Sequence, residues 1–414
     1  MNKGKEHCNI MKKSNASRIS IAACLVVDLC MGILYVWSVL KADAIAFYGW
    51  DEGAANLVSS FMLFAFCLGN LLGGAVNDKI GPKKASYMGV ILFCGGIFLA
   101  SCLKPGSNAW MFYLTYCIIG GIGCGSSYGA ILSCIQKWFP HRRGFATGIS
   151  TAAFGLGTVV FGPVISSMLK SMTISTTLRT LSIIFIIIGL AACTLIRLPD
   201  ASYLASLPDV PASKNTFTAR DFSPKEAMKT LPFWCLFLSM FFYNGTWNML
   251  TPLIKGLGVS RGLTDSAAVL CVSLTGIFNA AGRLIMSSLS DRLGRTRTII
   301  LLCILTIICA SCLIFAGGGF YFIIVLFTAF AYGGPSAVNP AATTDFFGPK
   351  YSGTNYGIAM LGLGFSSLFF NSVSNALYAS TGKYTMTFLM GAVSAAVAIV
   401  LMLIINRCLK NWNK

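Results

Sequence analysis

The chain has 414 residues, of which 56% are hydrophobic and only 11% are charged, and its mean hydropathy is +0.74. Soluble domains carry about a quarter charged residues, so this composition excludes most classes of soluble enzyme and indicates a membrane protein with many spans. The net charge of +18 is spread over many short loops. The basic residues do not form a stripe with interleaved aromatics, so we expect the lipid bilayer as a partner and no nucleic acid.

The N-terminal segment, residues 1–18, is basic, and an apolar run follows it at about 19–40. That run is longer than the 7 to 15 apolar residues typical of a signal peptide. We therefore predict that the run is retained as the first transmembrane helix and that residues 1–18 form a cytoplasmic N-terminal segment.

Apolar runs between charged or Pro/Gly breaks predict twelve transmembrane helices, and the fold class is therefore an all-α membrane protein. The longest polar connection, 198–230, contains four prolines and scattered charges, which is typical of a linker. The predicted spans are 19–40, 53–77, 85–103, 109–136, 144–169, 175–196, 231–254, 264–290, 298–316, 320–344, 353–378 and 385–406. The predicted parts are an N-terminal six-helix half (19–197), a cytoplasmic linker (198–230), a C-terminal six-helix half (231–406) and a cytoplasmic C-terminal tail (407–414).

Most Lys and Arg residues lie in alternate loops, on the same side as the basic N-terminal segment. Under the positive-inside rule this side is cytoplasmic. We expect a multi-pass protein of the cell membrane, either plasma or inner, with both termini in the cytoplasm.

A loop motif recurs once in each half, with the two aspartates offset by 213 residues. A second pair, Gly144 and Gly353, recurs at an offset of 209 residues, which indicates two parallel repeats. We predict that the motif gates the protein through charge clusters that break and re-form as the halves move, with ordinary helix-end chemistry as the alternative. The first copy comprises Gly74, Asp78, Lys79 and Gly81, and the second comprises Asp291, Arg292 and Gly294.

Arg283 and Asp28 are the two charged residues clearly inside predicted spans. Each such charge costs about 2.5–3.5 kcal/mol on insertion scales, so it is interpreted as functional. Arg283 precedes Asp291 by eight residues, roughly 12 Å along a helix, which places it near the middle of the bilayer. Its planar guanidinium suits bidentate binding of a carboxylate. A permanent ion pair with Asp28 is the alternative.

Asp28 lies at a similar depth on the first helix. It is a candidate for carrying a coupling proton, and an ion pair or a polar contact between helices is the alternative. Burial and a nearby arginine act on its charge in opposite directions, so the sequence leaves its charge state open.

Several other chemistries lack the residues they need. The two Gly-Lys pairs, at Gly4 and Gly382, are not followed by Ser or Thr, so no Walker motif for ATP is available. The lone C-x-x-C, Cys309 to Cys312, lies in an apolar span and is interpreted as packing. We expect no metal, no cofactor and no enzymatic activity.

The repeated loops on a six-plus-six layout resemble the signature of the major facilitator superfamily. More narrowly, six stretches resemble its oxalate/formate antiporter branch and related monocarboxylate transporters. These stretches are Gly32–Ser38, Tyr128–Gly129, Lys137–Gly144, Phe278–Arg283, Asp345–Gly348 and Asn355–Gly357.

This resemblance implies a major facilitator fold and transport by alternating access. It implies that Arg283 is the arginine that binds the substrate anion. It also places aromatic side chains on the helices that would line the substrate cavity, where they could orient a small planar anion, although aromatics in spans often serve packing. These residues are Tyr35, Tyr128, Phe154, Tyr332 and Tyr356.

Two positions depart from the patterns of the relatives. Oxalate-exchanging members have a Lys seven residues after the tyrosine of the Asn-Tyr-Gly stretch, where this chain has Leu363. Proton-coupled monocarboxylate carriers commonly have an Asp four residues before the arginine, where this chain has Asn279. The first departure favours a monocarboxylate, with Leu363 against its apolar part, and the second weakens proton coupling unless Asp28 substitutes.

We therefore expect a monomeric secondary transporter of small organic anions, chiefly monocarboxylates such as formate, lactate and pyruvate, working as an antiporter or a proton symporter. An antiporter of oxalate or another dicarboxylate is the first alternative. A non-transporting membrane sensor on the same fold is the second, and it would need an output domain for which the terminal segments leave little room.

Overall fold

The computed structural model describes residues 2–205 and 220–412, without the side chains of residues 2–16, Tyr35, Ser202, Leu204 and Asn411. Within these ranges the chain is helical and contains no strand. The central part of the predicted linker, 206–219, lies outside the described residues.

The first half contains six long helices, three of which are capped at their N-termini by the side chains of Asp51, Asn108 and Thr173. We label α1 as Asn2–Met31 with its continuations Gly32–Val36 and Trp37–Tyr48, α2 as Glu52–Ile80, and α3 as Pro82–Ser101. The others are α4 (Ala109–Trp138, with a π-helical segment at Tyr113–Ile119), α5 (Arg143–Leu169) and α6 (Ile174–Leu195).

The second half repeats this order after a short helix at Pro224–Ala227. We label α7 as the segments Leu231–Tyr243, Gly245–Leu250, Thr251–Leu253 and Ile254–Ser260, and α8 as Asp265–Leu293. The remaining helices are α9 (Arg295–Leu313), α10 (Gly318–Phe347), α11 (Ser352–Thr381) and α12 (Thr385–Trp412).

Eleven of the described helices are long and apolar enough to cross a membrane, and α7 is the exception. It is interrupted at Asn244 and again at Pro252, which lies in a 3-10 turn. The second break arises because proline lacks the amide hydrogen that a continuous helix needs. The predicted span 231–254 therefore exists as a broken helix. With it, the prediction of twelve helices in an all-α fold is confirmed.

Glycine ends α2 and α8 in the same way. Gly81 follows α2 with φ of +85° and Gly294 follows α8 with φ of +95°, a region that glycine enters at little cost. These are the glycines of the two loop motifs. Their equivalent conformations agree with the sequence repeat.

The two halves meet along two seams, α2 against α11 and α5 against α8. Glycine permits the close approach in the first seam, because a Cβ added to Gly74 would collide with the carbonyl oxygen of Gly353. At the equivalent place in the second seam, Ser287 donates a hydrogen bond to the carbonyl oxygen of Gly144.

The described end of the linker is fixed to the second half. The amide of Phe222 donates to the carbonyl oxygen of Phe347 at 2.9 Å, and the side chain of Asn355 donates to the carbonyl oxygen of Phe222 at 3.0 Å. Ser223 donates to Glu226 through its hydroxyl and its amide, which holds the pKa of that carboxyl below its usual range.

Candidate functional site

A small cavity of about 20 Å³ lies in the middle of the bundle, between the halves. A cavity of this size holds little more than one water molecule, so the structure describes a nearly collapsed, closed site. Helices α2, α4 and α5 of the first half and α7, α8, α10 and α11 of the second contribute to its wall. The lining residues are Phe66, Tyr128, Phe154, Met240, Tyr243, Arg283, Tyr332, Ser336, Tyr356, Met360 and Leu363.

Arg283 places a guanidinium in this wall and is only 2% exposed. Its Nε donates to Asn279 Oδ1 at 2.7 Å, one turn earlier on α8, and its Nη1 donates to the carbonyl oxygen of Thr151 at 3.2 Å. Gly155 on α5 leaves space beside the guanidinium, because a Cβ added there would lie 3.6 Å from Nε. Arg283 thus reaches from the second half to the first.

Asp28 is completely buried on α1. Its Oδ2 accepts a hydrogen bond from the hydroxyl of Ser150 on α5, and its Oδ1 has no hydrogen-bond partner among the described residues. Ser150 and Thr151 are adjacent, so α5 bonds to Asp28 through one residue and to Arg283 through the next. The two buried charges predicted from the sequence therefore meet the same turn of α5.

The predicted aromatic residues on α4 and α5 lie together. The rings of Tyr128 and Phe154 have centroids 5.0 Å apart, and Phe66 of α2 lies 5.1 Å from the first and 5.5 Å from the second. This triangle of rings forms an apolar wall on the side of the first half.

The second half supplies Tyr332, Tyr356 and Leu363, all at most 6% exposed. Tyr332 stacks on Trp247 with centroids 5.2 Å apart. Six of the seven predicted substrate-binding residues thus line one cavity. The seventh, Tyr35, is on the 3-10 turn Gly32–Val36, but its side chain lies outside the described residues.

Five lining residues were not predicted from the sequence: Phe66, Met240, Tyr243, Ser336 and Met360. Tyr243 is held by Asn339, whose Nδ2 donates to the phenol oxygen at 3.0 Å. Met360 is one turn from Tyr356 on α11 and Ser336 is one turn from Tyr332 on α10. Helical spacing from the predicted tyrosines was thus an available signal for these two.

We call the end of the bundle that carries loops 79–84, 138–143, 291–297 and 347–352 the basic face. Here each motif aspartate binds the N-terminus of a helix in the opposite half. Asp291 accepts from the amides of Gly144 and Phe145 at 2.9 Å each, and Asp78 accepts from the amide of Thr354 at 2.9 Å. A carboxylate is favourable there because helix N-termini carry unsatisfied N–H groups and partial positive charge.

The other motif residues do not make this bridge. Gly74 provides the close contact with Gly353, while Gly81 and Gly294 form the turns. Lys79 and Arg292 are exposed in the last turns of α2 and α8, where a positive charge complements the helix dipole.

A buried charge cluster adds to the closure of the basic face. Asp345 at the end of α10 pairs with Arg143 at 2.8 Å and with Arg295 at 2.8 Å, and Arg295 also pairs with Asp291 at 2.7 Å. Arg143 belongs to the first half, so its ion pair with Asp345 joins the halves. In addition, Thr344 donates to Gln136 across the halves at 2.7 Å.

Comparison with known proteins gives concordant matches. The sequence matches the Major Facilitator Superfamily over residues 21–338 and 236–408. It is 28% identical over 393 residues to the oxalate:formate antiporter of Oxalobacter formigenes, covering 92% of this chain and 89% of that protein. It is 24% identical over 483 residues to apicoplast pyruvate carrier 1 of Toxoplasma gondii, covering 92% and 87%.

The fold is also similar to a solved structure, that of the Major Facilitator Superfamily transporter FucP in the outward conformation. The TM-score is 0.70 at 16% identity, with 94% of this chain and 99% of that chain covered.

Proposed function

Because this chain belongs to the Major Facilitator Superfamily, it is a multi-pass membrane transporter and not an enzyme, and we propose that its substrates are small monocarboxylates such as formate, lactate and pyruvate. The observation that carries the proposal is the buried guanidinium of Arg283 in the wall of an aromatic cavity between the halves. A guanidinium binds a carboxylate through two parallel hydrogen bonds.

The rest of the cavity wall suits a single carboxylate attached to a small apolar group. Phe66, Phe154 and Leu363 are apolar, while the phenols of Tyr128 and Tyr356 add neutral hydrogen-bonding groups. Such neutral donors can orient an anion without adding a second positive charge. The similarity to an oxalate:formate antiporter and to a pyruvate carrier supports the same class of substrate.

We propose that the basic face is cytoplasmic and that both termini lie on that side of a plasma or inner membrane. The alternate loops rich in Lys and Arg support this orientation. The protein would function as a monomer, in which the two halves alternate between opening towards the two sides.

Closure of the basic face by the motif aspartates is the proposed gate. Replacing Asp291 with Asn is expected to weaken the closed conformation by about 1–3 kcal/mol. The amides of Gly144 and Phe145 donate to different carboxylate oxygens, and Asn has a single acceptor oxygen, so one hydrogen bond becomes neutral and the other is lost. Hydrogen exchange should increase at residues 143–150, and the thermal unfolding temperature should fall.

The exposed residue Asp200 supplies the control for this prediction. The change Asp200→Asn removes the same charge from an exposed side chain and should alter neither measurement. Equal exchange at residues 143–150 in wild type and Asp291→Asn would contradict the proposed gate.

Transport in liposomes tests the proposed function. Purified protein is reconstituted, and uptake of labelled formate, lactate, pyruvate and oxalate is measured with and without internal counter-substrate and with and without a pH gradient. Uptake that requires internal counter-substrate would identify antiport, and uptake driven by an acidic exterior without counter-substrate would identify proton symport. Absence of uptake for all three monocarboxylates would contradict the proposal.

An oxalate or other dicarboxylate antiporter is the second candidate, favoured by the similarity to the oxalate:formate antiporter. A dianion held by Arg283 needs a second cation in the cavity, since an unmet buried acceptor costs about 1–3 kcal/mol and a charge costs more. The position where oxalate-exchanging relatives carry that cation is Leu363, which lines this cavity. The absence of a cation at this position therefore favours monocarboxylates over dicarboxylates as substrates.

The variant Leu363→Lys tests this charge argument. We expect wild type to prefer monocarboxylates to oxalate and the variant to shift towards oxalate, because the added ammonium would pair with the second carboxylate. Competition by unlabelled oxalate, formate and lactate against labelled formate measures the preference. Leu363→Met, which changes shape without charge, is the control, and oxalate outcompeting formate in wild type would contradict the argument.

A further inference from the structure

Asn70 on α2 is fully buried, and neither its Oδ1 nor its Nδ2 has a hydrogen-bond partner among the described residues. Nearly all buried polar groups in native proteins are hydrogen-bonded, and exceptions call for an explanation. The sequence offered one signal for this residue, because an Asn inside an apolar span has an amide that lipid cannot satisfy.

The position of Asn70 on α2 links the cavity to the gate. Phe66, one turn earlier, lines the cavity. Gly74, one turn later, lies against Gly353 at the closed basic face. Asn70 therefore lies between the cavity and the basic face, along the path that a substrate would follow.

The neighbours of Asn70 come from both halves. A Cβ added to Gly129 of α4 would lie 3.1 Å from Asn70 Nδ2, and one added to Gly357 of α11 would lie 3.1 Å from the backbone carbonyl oxygen of Asn70. Tyr128 and Tyr356, which precede these glycines, line the cavity. The side-chain amide thus packs against α4, and the backbone of the same residue lies at the seam with α11, beside the cavity.

A second residue with an unmet atom lies further along the same helix. Asn77 is 3% exposed, and its Oδ1 has no hydrogen-bond partner among the described residues, although its Nδ2 donates to Asp78 at 3.4 Å. Helix α2 therefore carries buried polar atoms without partners in the described part of the chain, from the level of the cavity almost to the basic face. A contact between helices that served packing alone would not need these polar atoms.

We propose that Asn70 is a polar group of the transport path that becomes usable only when the basic face opens, and that its Nδ2 then donates a hydrogen bond to the passing carboxylate. The inference rests on the proposed function, since it assumes alternating access and a carboxylate substrate. When α11 separates from α2, water and the anion reach the amide and satisfy it. A neutral amide releases the anion readily, because it adds no positive charge that would retain it.

The same geometry gives Asn70 an effect on conformation. Its amide is unsatisfied in the closed seam and satisfied in the open one, so it favours opening of the basic face. A residue of similar shape without the amide would have the opposite effect, because replacing an unmet polar group by an apolar one can stabilise a buried site.

The variant Asn70→Leu tests the proposal in the full-length protein. We expect its thermal unfolding temperature to rise, hydrogen exchange at residues 66–77 to slow, and the maximal rate of pyruvate counterflow in liposomes to fall about tenfold. Asn70→Ser, which keeps a small donor, should retain an intermediate rate.

The control is Asn248→Leu. Asn248 is also buried, but its Nδ2 donates to the hydroxyl of Ser366 at 3.1 Å, so its replacement should lower the unfolding temperature. A comparable fall in Asn70→Leu would overturn the proposal, since it would make Asn70 an ordinary structural residue. Unchanged exchange at residues 66–77 together with an unchanged counterflow rate would also overturn it.

Failure of the proposed function gives a different result. If wild type exchanges none of pyruvate, formate and lactate, the carboxylate substrate and the donor role of Asn70 towards it are both wrong. Hydrogen exchange and unfolding temperature need no substrate, and they still decide whether Asn70 belongs to a seam that opens.

Discussion

The variant Arg283→Ala is expected to lose carboxylate binding. Removing one partner of a buried, hydrogen-bonded charge pair costs about 2–5 kcal/mol, which corresponds to a loss of affinity between roughly thirtyfold and several thousandfold. Arg283 is 2% exposed in the cavity wall, so water replaces the lost contact poorly. Stabilisation of purified protein by formate, lactate or pyruvate in thermal unfolding is the measurement.

Arg283→Lys keeps the charge but should bind carboxylates only weakly, because an ammonium lacks the planar pair of donors that matches a carboxylate. It would also lose the bond from Nε to Asn279 that orients the guanidinium. A variant that retains charge but not binding would identify the geometry of the guanidinium as the essential property.

The control for both variants is Arg179→Ala, on the exposed surface of α6. It should bind like wild type. Comparable unfolding temperatures without substrate would show that all variants are folded. Unchanged stabilisation by carboxylates in Arg283→Ala would remove this residue from the binding site.

The helices could be predicted from the sequence because each depends on local composition. Runs of apolar residues about as long as the bilayer is thick, ended by charges or by Gly81 and Gly294, define most of them within a few residues. The first helix is an exception, because it extends from Asn2 to Tyr48, well beyond the predicted 19–40. The break in α7 was missed. It depends on Asn244 and Pro252 near the end of an otherwise apolar run, and hydropathy averages over such single residues.

The charged residues of the candidate site were also predictable, because a charge inside an apolar span is conspicuous. Arg283 and Asp28 needed no knowledge of helix packing. The aromatic lining depended on the resemblance to a family, since Tyr128 or Phe154 alone is not distinguishable from a packing residue.

The contacts between distant segments could not be predicted. Ser150 lies 122 residues from Asp28, and Thr354 lies 276 residues from Asp78. Such pairs form only when whole helices pack together, so composition and spacing do not predict them. The repeat indicated that both motifs act alike, but not that each aspartate binds a helix N-terminus in the other half.

The variant Asp28→Asn is expected to abolish uptake driven by an acidic exterior while sparing exchange of substrate for substrate. Asn has nearly the shape of Asp but cannot carry a proton. Exchange needs no return of an empty, deprotonated carrier, so it should continue. Ser150 can still donate to the side-chain oxygen of the introduced amide, which keeps the contact between α1 and α5.

Ser150→Ala is the matched control, because it removes the hydrogen bond to Asp28 but keeps the carboxyl group. Uptake driven by the pH gradient should persist in this variant if Asp28 itself carries the proton. Loss of both gradient-driven uptake and exchange in Asp28→Asn would instead indicate that Asp28 interacts electrostatically with Arg283, which bonds to the same turn of α5. Normal activity in both assays would make Asp28 a structural residue, and the coupling proton would then have to bind elsewhere.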